Sequence, residues 1–585
     1  MNRMGDCNSG SRTGDLKDLI KGRQVQTLDL RVLRRTVRPG NDHGMVLIVV
    51  LILLAILSLI GLAANRNAVV DTAIASNHAA SLRAFHAAEA GTEYGFNRLR
   101  YLLPSTPIVT APTIAGFTFD TFSVAAQPPS TTAVLTGTWA GLTAVLTTYN
   151  ITSTARENTS NATATVTMQV QDQLIPVFQF GIFYQNDLEM LPGANMTFTG
   201  GRIHTNSNLY MNPDGSATLS VDSKITSANN IYHRREDRTS TQNPVQIKDA
   251  GGTYRSMTID SDTANWATLS QSTSPGPGWG GTVKSKDNGV TGLNLPEPTG
   301  TLDILGQGDG SMYQKSGLRI LNGTATNKDG ATVNLKYRDN NYKDSHGNLI
   351  WDPGTTPGTS NPNVNPLTTT DTFYDQREQK TVTVAELDIA KLQNSTNAMA
   401  ALNNPPSGQD AHVMYISSSD SVRLVNGSTL PDGGLTIASN RPVYVEGDYN
   451  VANKPAAVLG DALTVLSNAW DDTHGAQALS SRVASSTTVN AAFMTGNKNT
   501  TGSQYSGGVE NLMRFLEDWS GKTMTYAGSL VCLWQSQYAT GNWPGTGTVY
   551  NPPTRNWSYG IDMNHLPPGT PCVRNINRLM WRHVT

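Results

Sequence analysis

The sequence predicts an α+β protein: one long N-terminal helix with a transmembrane half, packed on a small antiparallel sheet and followed by a large mainly-β domain, β-solenoid-like or an irregular sandwich. Three observations carry this reading. An uncharged apolar run extends from Met45 to Ala64, segments between 105 and 175 alternate with a period of two, and from about 177 short apolar runs are broken every few residues by Gly or Asn. The divisions that follow are a basic cytoplasmic leader at 1–44, a helix at 45–103 with its membrane half at 45–64, a β region at 104–176, and a β-rich extracytoplasmic region at 177–585 with loops near 271–285 and 352–366.

The twenty residues from Met45 to Ala64 make a helix of roughly 30 Å, the thickness of a bilayer's hydrocarbon core. Fourteen of them are Leu, Ile or Val, each favouring the membrane by about 0.3 to 0.6 kcal/mol near its centre, and none is charged. Arg31, Arg34, Arg35 and Arg38 precede the span while only Arg66 and Arg83 follow closely, which keeps the N-terminus in the cytoplasm. The long remainder then lies on the far side of the membrane. Its low charge suits that place, since charged residues are 15% of the chain against a usual value of about 25%. A net charge of −2 argues against nucleic acid as a partner. Of three readings of the apolar run, a cleaved secretory signal is the weakest, because the nearest small-x-small site, Ala73-Ile74-Ala75, lies well past it. A plain signal anchor and a retained helix that loses only its basic leader both stay open.

The chain from Asn65 to Arg100 is Ala-rich and lacks Pro, so the helix continues. Val70, Ile74, Leu82, Phe85 and Leu99 fall near one stripe, with Asp71, Arg83 and Glu93 mostly off it, giving an amphipathic second half to a rod of about 55 residues and roughly 80 Å. Gly44 before the apolar run, Gly61-Leu62-Ala63-Ala64 closing it, and Ala84-Phe85-His86-Ala87-Ala88-Glu89-Ala90 on the second half resemble the type IV pilin superfamily, specifically PilX-type minor pilins, over about Gly44 to Gly95. The resemblance implies that a prepilin peptidase cuts after Gly44 and methylates the new N-terminus at Met45. It also implies that the helix leaves the membrane to pack in a pilus core, and that the partners are other pilin or pseudopilin subunits and an inner-membrane assembly platform. Most major pilins carry Glu at the fifth mature residue, where this chain has Val49. A carboxylate among apolar helices is costly unless paired, and in the family it is thought to pair with a neighbour's N-terminal amine. Its absence resembles the type II secretion pseudopilin K, a tip subunit; tolerance in a little-incorporated subunit is the alternative. The 44-residue leader and His43 before Gly44 depart from the family pattern, and Met4 offers a start that is barely later.

Pro104, Pro107 and Pro112 end the helical region. Segments 117–124, 143–150 and 162–171 alternate apolar or small with polar residues, the period of half-buried strands, and predict a sheet laid on the helix. Beyond them, 198–210, 434–450 and 462–470 predict stacked short strands turning at Gly and Asn; a solenoid is slightly preferred to a sandwich, although no fixed repeat length emerges. Residues 275–281 and 352–366 are too rich in Pro, Gly, Thr and Asn to pack a core, and 373–392 contains a short helix.

Cys7 lies in the leader; Cys532 and Cys572 predict a disulfide in an oxidising compartment, closing a loop of about 40 residues and contributing roughly 4 kcal/mol, with two buried free thiols as the alternative. The ten histidines are scattered, and no zinc, serine-hydrolase or phosphate-loop motif is present, so no catalytic residue is assigned and no cofactor is expected. Gly306-Gln307-Gly308-Asp309-Gly310 predicts a turn. Asp344, Asn348 and Asp352 around Gly347 could hold Ca2+, though the loop falls short of an EF-hand and a plain turn is favoured; Asp471-Asp472-Thr473-His474-Gly475 is a weaker case. Trp519, Trp534, Trp543, Trp557 and Trp581 gather near the C-terminus, either as core anchors or as an adhesive surface. The expectation is a structural, non-enzymatic minor pilin at a filament tip or in an accessory position. The rivals are a permanently anchored adhesion protein and, resting only on the possible solenoid and the aromatics, a polysaccharide hydrolase.

Overall fold

The computed structural model describes residues 43–101, 108, 110–237, 242–273, 278–296, 303–338, 363–502 and 504–584. The chain divides into two compact units, Met1–His78 and Ala79–Thr585. Helix α1 (His43–Tyr101) begins in the first and ends in the second; its Leu- and Ala-rich sequence contains no Pro to interrupt it. In the first unit its large apolar side chains are all exposed.

In the second unit three long strands, β1 (Phe117–Val134), β2 (Thr143–Glu157) and β3 (Thr163–Pro176), pair antiparallel in chain order. The fourth strand of this sheet is the C-terminal one, Cys572–Val584, which pairs with β3 from Pro176↔Cys572 to Thr165↔Val584. Its partner lies about 400 positions away, so nothing local in the sequence assigns it to this sheet. Alternation on β2 and β3 turns Ile151, Ser153, Ala155, Val166, Met168 and Val170 inward, where they meet α1.

The helical stripe that meets them is only partly the expected one: Leu99 and Phe85 pack against the sheet as expected, the rest do not. Val70, Ile74 and Leu82 are exposed and Phe85 is half-buried, whereas Ala80, Ala84, Ala87, Ala88, Thr92, Phe96 and Leu99 are buried. Small side chains let the helix axis come close to the strands: a Cβ on Gly95 would lie 2.8 Å from Ile151 Cγ2. Size, rather than hydrophobicity alone, selects this face.

The rest of the unit is a β-solenoid. Parallel strands stack into an eleven-stranded sheet that includes β4 (Phe180–Tyr184), Arg202–Thr205 and Ile225–Ser227 from the first half of the region, and Val413–Ser417, Leu435–Ala438, Ala456–Gly460, Ala492–Asn497 and Leu530–Gln535 from the second. The first three begin 22 and 23 residues apart, and Val413, Leu435 and Ala456 begin 22 and 21 apart. Insertions before Ala492 and Leu530 lengthen the later coils, which is why no period shows in the sequence. The stack is discontinuous in chain order, because Leu530–Gln535 lies parallel beside β4, with Leu530 opposite Ile182. The resulting interior ladder runs Val283, Ile225, Ile203, Ile182, Leu530, Phe493, Val458, Ile437, Met414, Leu318. All ten are buried in one core, each worth about 1.5 to 3 kcal/mol of transfer free energy.

Seven-stranded, six-stranded and three-stranded sheets form the other faces. Antiparallel strands close the stacks: Thr324–Asn327 on the eleven-stranded sheet, Leu367–Asp375 on the six-stranded one and Tyr254–Ser256 on the seven-stranded one. These strands cover ladder edges that would otherwise pair with another chain. The outer side of the eleven-stranded sheet is buried as well, by Trp139, Leu142, Ile175 and Phe178 from the small-sheet region and by Val290, Leu293 and Ile304. The loop expected near 271–285 also departs from expectation: Trp279 is fully buried 5.7 Å from the Trp266 ring, and Val283 enters the interior ladder. The predicted short helix in 373–392 is Ile389–Asn394, with Asp388 capping it through Lys391 N–H at 2.9 Å.

Candidate functional site

The site assembles on α1. Gly44 and Met45 sit at the start of the helix, and from Met45 to Leu62 every Leu, Ile, Val and Met side chain is at least 45% exposed, Val49 among them at 51%. A helix this apolar and this exposed is not built for water. It is long and apolar enough to cross a membrane.

The second unit holds its part of the same helix by packing and by charge. Arg83 donates to Glu157 on β2 at 2.6 Å, and Arg578 of the C-terminal strand donates to Glu93 at 2.6 Å. Arg574, nearly inaccessible, lies 2.9 Å from Asp172 on β3 and donates to the carbonyl of Leu99. Burial pushes the Asp172 carboxyl up to about 6 despite the opposing Arg574 charge. The Arg578–Glu93 pair is part-exposed and contributes little; the Arg574–Asp172 pair fixes the helix end to two strands. Arg574 and Asp172 were not singled out from sequence, since an isolated Arg and Asp 402 positions apart carry no local signal. Phe85 packs edge-on against Trp581 and His583, so the C-terminal strand touches the helix along several turns.

The remaining predicted positions are scattered. Cys532 and Cys572 are both free, which overturns the expected bridge. Cys532 lies on Leu530–Gln535 in the solenoid, opposite Tyr184, while Cys572 opens the C-terminal strand opposite Pro176, so topology carries them into different sheets. Burial pushes the two thiols up to about 12 and about 11, which keeps them protonated and unreactive. Asp344, Asn348 and Asp352 lie outside the described residues, as do Cys7 and nearly all of the leader. Among the described residues no group of three His, Cys, Asp or Glu side chains is placed to grip a metal ion directly. Asp471 caps a single 3-10 turn through Thr473 N–H, and Asp472 pairs with Arg423 at 2.6 Å, both structural roles.

The C-terminal aromatics are mostly core anchors. Trp519, Trp557, Tyr526 and Tyr550 are buried, Trp534 and Trp543 pack partly against the cores, and Trp581 alone of the five tryptophans is exposed, at 42%.

In a comparison with known proteins, residues 43–93 match the model of the family described as PilX N-terminal. Among solved structures, the crystal structure of the competence-associated pilin ComZ from Thermus thermophilus is aligned over 86% of this chain and 97% of that one, at 12% identity and a TM-score of 0.25. No curated protein matches.

Proposed function

We propose, from a chain whose residues 43–93 form a PilX-type N-terminus, that the protein is a minor pilin-like subunit of a type IV pilus or a related secretion pseudopilus, with a structural rather than enzymatic role. The observation that carries this reading is the helix itself: an exposed apolar half from Met45 continues without a break into a half seated on a sheet by small residues. Such a helix spends its life in two apolar surroundings, the inner membrane before assembly and the packed helices of a filament after it.

On this reading a prepilin peptidase cleaves between Gly44 and Met45, an inner-membrane platform draws the subunit into the filament, and the solenoid is displayed outside. Val49 leaves the subunit without a carboxylate for a neighbour's terminal amine, which suits a position at the tip or an accessory place where no such pair forms. Intact-mass measurement of protein from its native membrane tests the cleavage: the expected species begins at a methylated Met45, and Gly44→Ala preserves the leader. A mature species that still begins before Met45 refutes the proposal and leaves a permanently anchored surface protein. Gold labelling of the C-terminal domain on isolated filaments separates tip from shaft.

A further inference from the structure

The four-stranded sheet has two open edges, and only one of them is guarded. β1 carries Pro128 and two register shifts, devices that stop an edge from accepting another strand. The other edge is the C-terminal strand Cys572–Val584, which carries no Pro and a single register shift, and on it Leu579, Met580, Trp581 and Val584 are each at least 41% exposed. This edge is ready to pair. The Arg574 N–H points outward and donates to the Asn294 carbonyl at 2.8 Å, in an isolated antiparallel bridge. Alternation turns the Ile576 N–H the same way, yet from Ile576 to Val584 no described strand meets that edge.

Where the bridge ends, a cavity of about 640 Å3 opens beside the strand, lined among others by Arg100, Gln171, Gln173, Gly292, Asn575 and Ile576. Its lining contains arginine but no Asp or Glu. The amides form a relay that donates in one direction, Asn575 to Gln173 at 2.7 Å and Gln173 to Gln171 at 2.8 Å, and the relay ends in an NH2 group. Farther along the strand Arg578 faces Glu93, while Arg582 donates to the Thr167 hydroxyl and pairs with no carboxylate among the described residues. Direction decides what fits. An antiparallel guest starts beside Val584 and finishes at the cavity, where Asn294, already opposite Arg574, blocks its line. A chain that stops there brings a terminal carboxylate to a lining of cation and amide donors with no anion to repel it.

We propose that the C-terminal strand is a docking edge for the carboxyl-terminal segment of a partner polypeptide, which adds to the four-stranded sheet as an antiparallel strand along Ile576–Val584 and seats its α-carboxylate in the cavity. Main-chain hydrogen bonds supply the affinity, and the carboxylate fixes the register. The exposed Leu579, Met580, Trp581 and Val584 select β-branched and aromatic residues on the guest.

The test uses the full chain immobilised in detergent and a labelled pool of synthetic peptides of about nine residues drawn from Val, Ile, Thr, Tyr, Asn and Asp, long enough to pair from Val584 to Ile576. One pool has free carboxyl ends and the other is amidated. The expected result is saturable retention of the free-acid pool, about tenfold or more above the amidated one. Ile576→Pro removes an outward N–H while sparing the ladder to β3 and should abolish retention of both pools. Arg100→Gln should remove the preference for the free acid, and Lys380→Ala, at a surface pair with Asp420, should change nothing. Should Ile576→Pro fail to fold, Arg100→Gln carries the test. No saturable retention, equal retention of the two pools, or a preference unaltered in Arg100→Gln would each overturn the proposal. So would self-association of the chain that Ile576→Pro abolishes, since a second copy would then be the occupant. None of these readings depends on filament assembly.

Discussion

Gly91→Ala is a substitution for which helix propensity and packing predict opposite signs. In an exposed helix interior, Gly→Ala stabilises by about 1 kcal/mol. Here the new Cβ would stand 2.2 Å from Ser153 Oγ, 2.8 Å from Phe119 Cε1 and 3.0 Å from Ser153 Cβ. Ser153 is fully buried on β2 and Phe119 belongs to β1, so relief requires the helix to lift from the sheet or the strands to shift. Overpacking of this kind costs about 1 to 3 kcal/mol; set against the gain of about 1 kcal/mol, the net is a loss of about 0 to 2 kcal/mol, expected at the upper end because the closest neighbour, Ser153, is fully buried. Urea denaturation of the protein in detergent, followed by tryptophan fluorescence, measures it. A cycle with Ser153→Ala sharpens the test. The Ser153 hydroxyl has no hydrogen-bond partner, so Ser153→Ala alone should be near neutral, and in the double variant it should recover part of the Gly91→Ala loss. A Gly91→Ala protein as stable as the parent or more so, with no coupling to Ser153, would falsify the close-packed seat. Gly61→Ala, where a Cβ meets nothing within 4 Å, is the control and should not destabilise.

Arg574→Met leaves Asp172 buried without its cation and should cost about 3 to 5 kcal/mol in the same assay at pH 8; the loss should shrink at pH 5, where Asp172 is protonated. Cys532→Ser and Cys572→Ser should each melt far closer to the parent than the roughly 4 kcal/mol loss a disulfide would entail, and reductant should not move the parent's melting temperature. The buried carboxyls of Glu446, Glu510 and Glu517 are all raised to about 7, chiefly by burial. Because their folded values lie above the unfolded ones, their contribution is fully present below the ordinary carboxylate range and is lost as pH rises through about 7. Unfolding free energy measured in urea should therefore be higher at pH 5 than at pH 8, and Glu510→Gln should reduce that difference by about 1 to 2 kcal/mol; an unchanged difference would show that Glu510 is not buried as described.

The apolar run at Met45–Ala64, its continuation as helix and the strands of 117–171 were legible because each is a local pattern: hydrophobicity over twenty residues, absence of Pro, alternation with a period of two. The helix face that packs was legible only at Phe85 and Leu99, since a period-3.6 search also rewards Val70, Ile74 and Leu82, whereas the sheet selects Ala80, Ala84, Ala88 and Gly91 by volume. Likewise, Trp279 sits in a Gly-Pro stretch that composition assigns to a loop, yet it anchors a core.

By itself the sequence determined that one apolar helix leads a β-rich chain, and it carried the Gly44, Met45 and Val49 positions on which the pilin-like reading rests. Only the tertiary structure decided that the C-terminal strand completes the first sheet, that Leu530–Gln535 stacks beside β4, and that Cys532 and Cys572 remain apart. The reason is the range of the interactions. Helix formation and strand alternation are written in neighbours a few residues apart, whereas the pairing of Leu174 with Arg574 or Ile182 with Leu530 joins residues hundreds of positions apart and is selected only when whole faces are buried together.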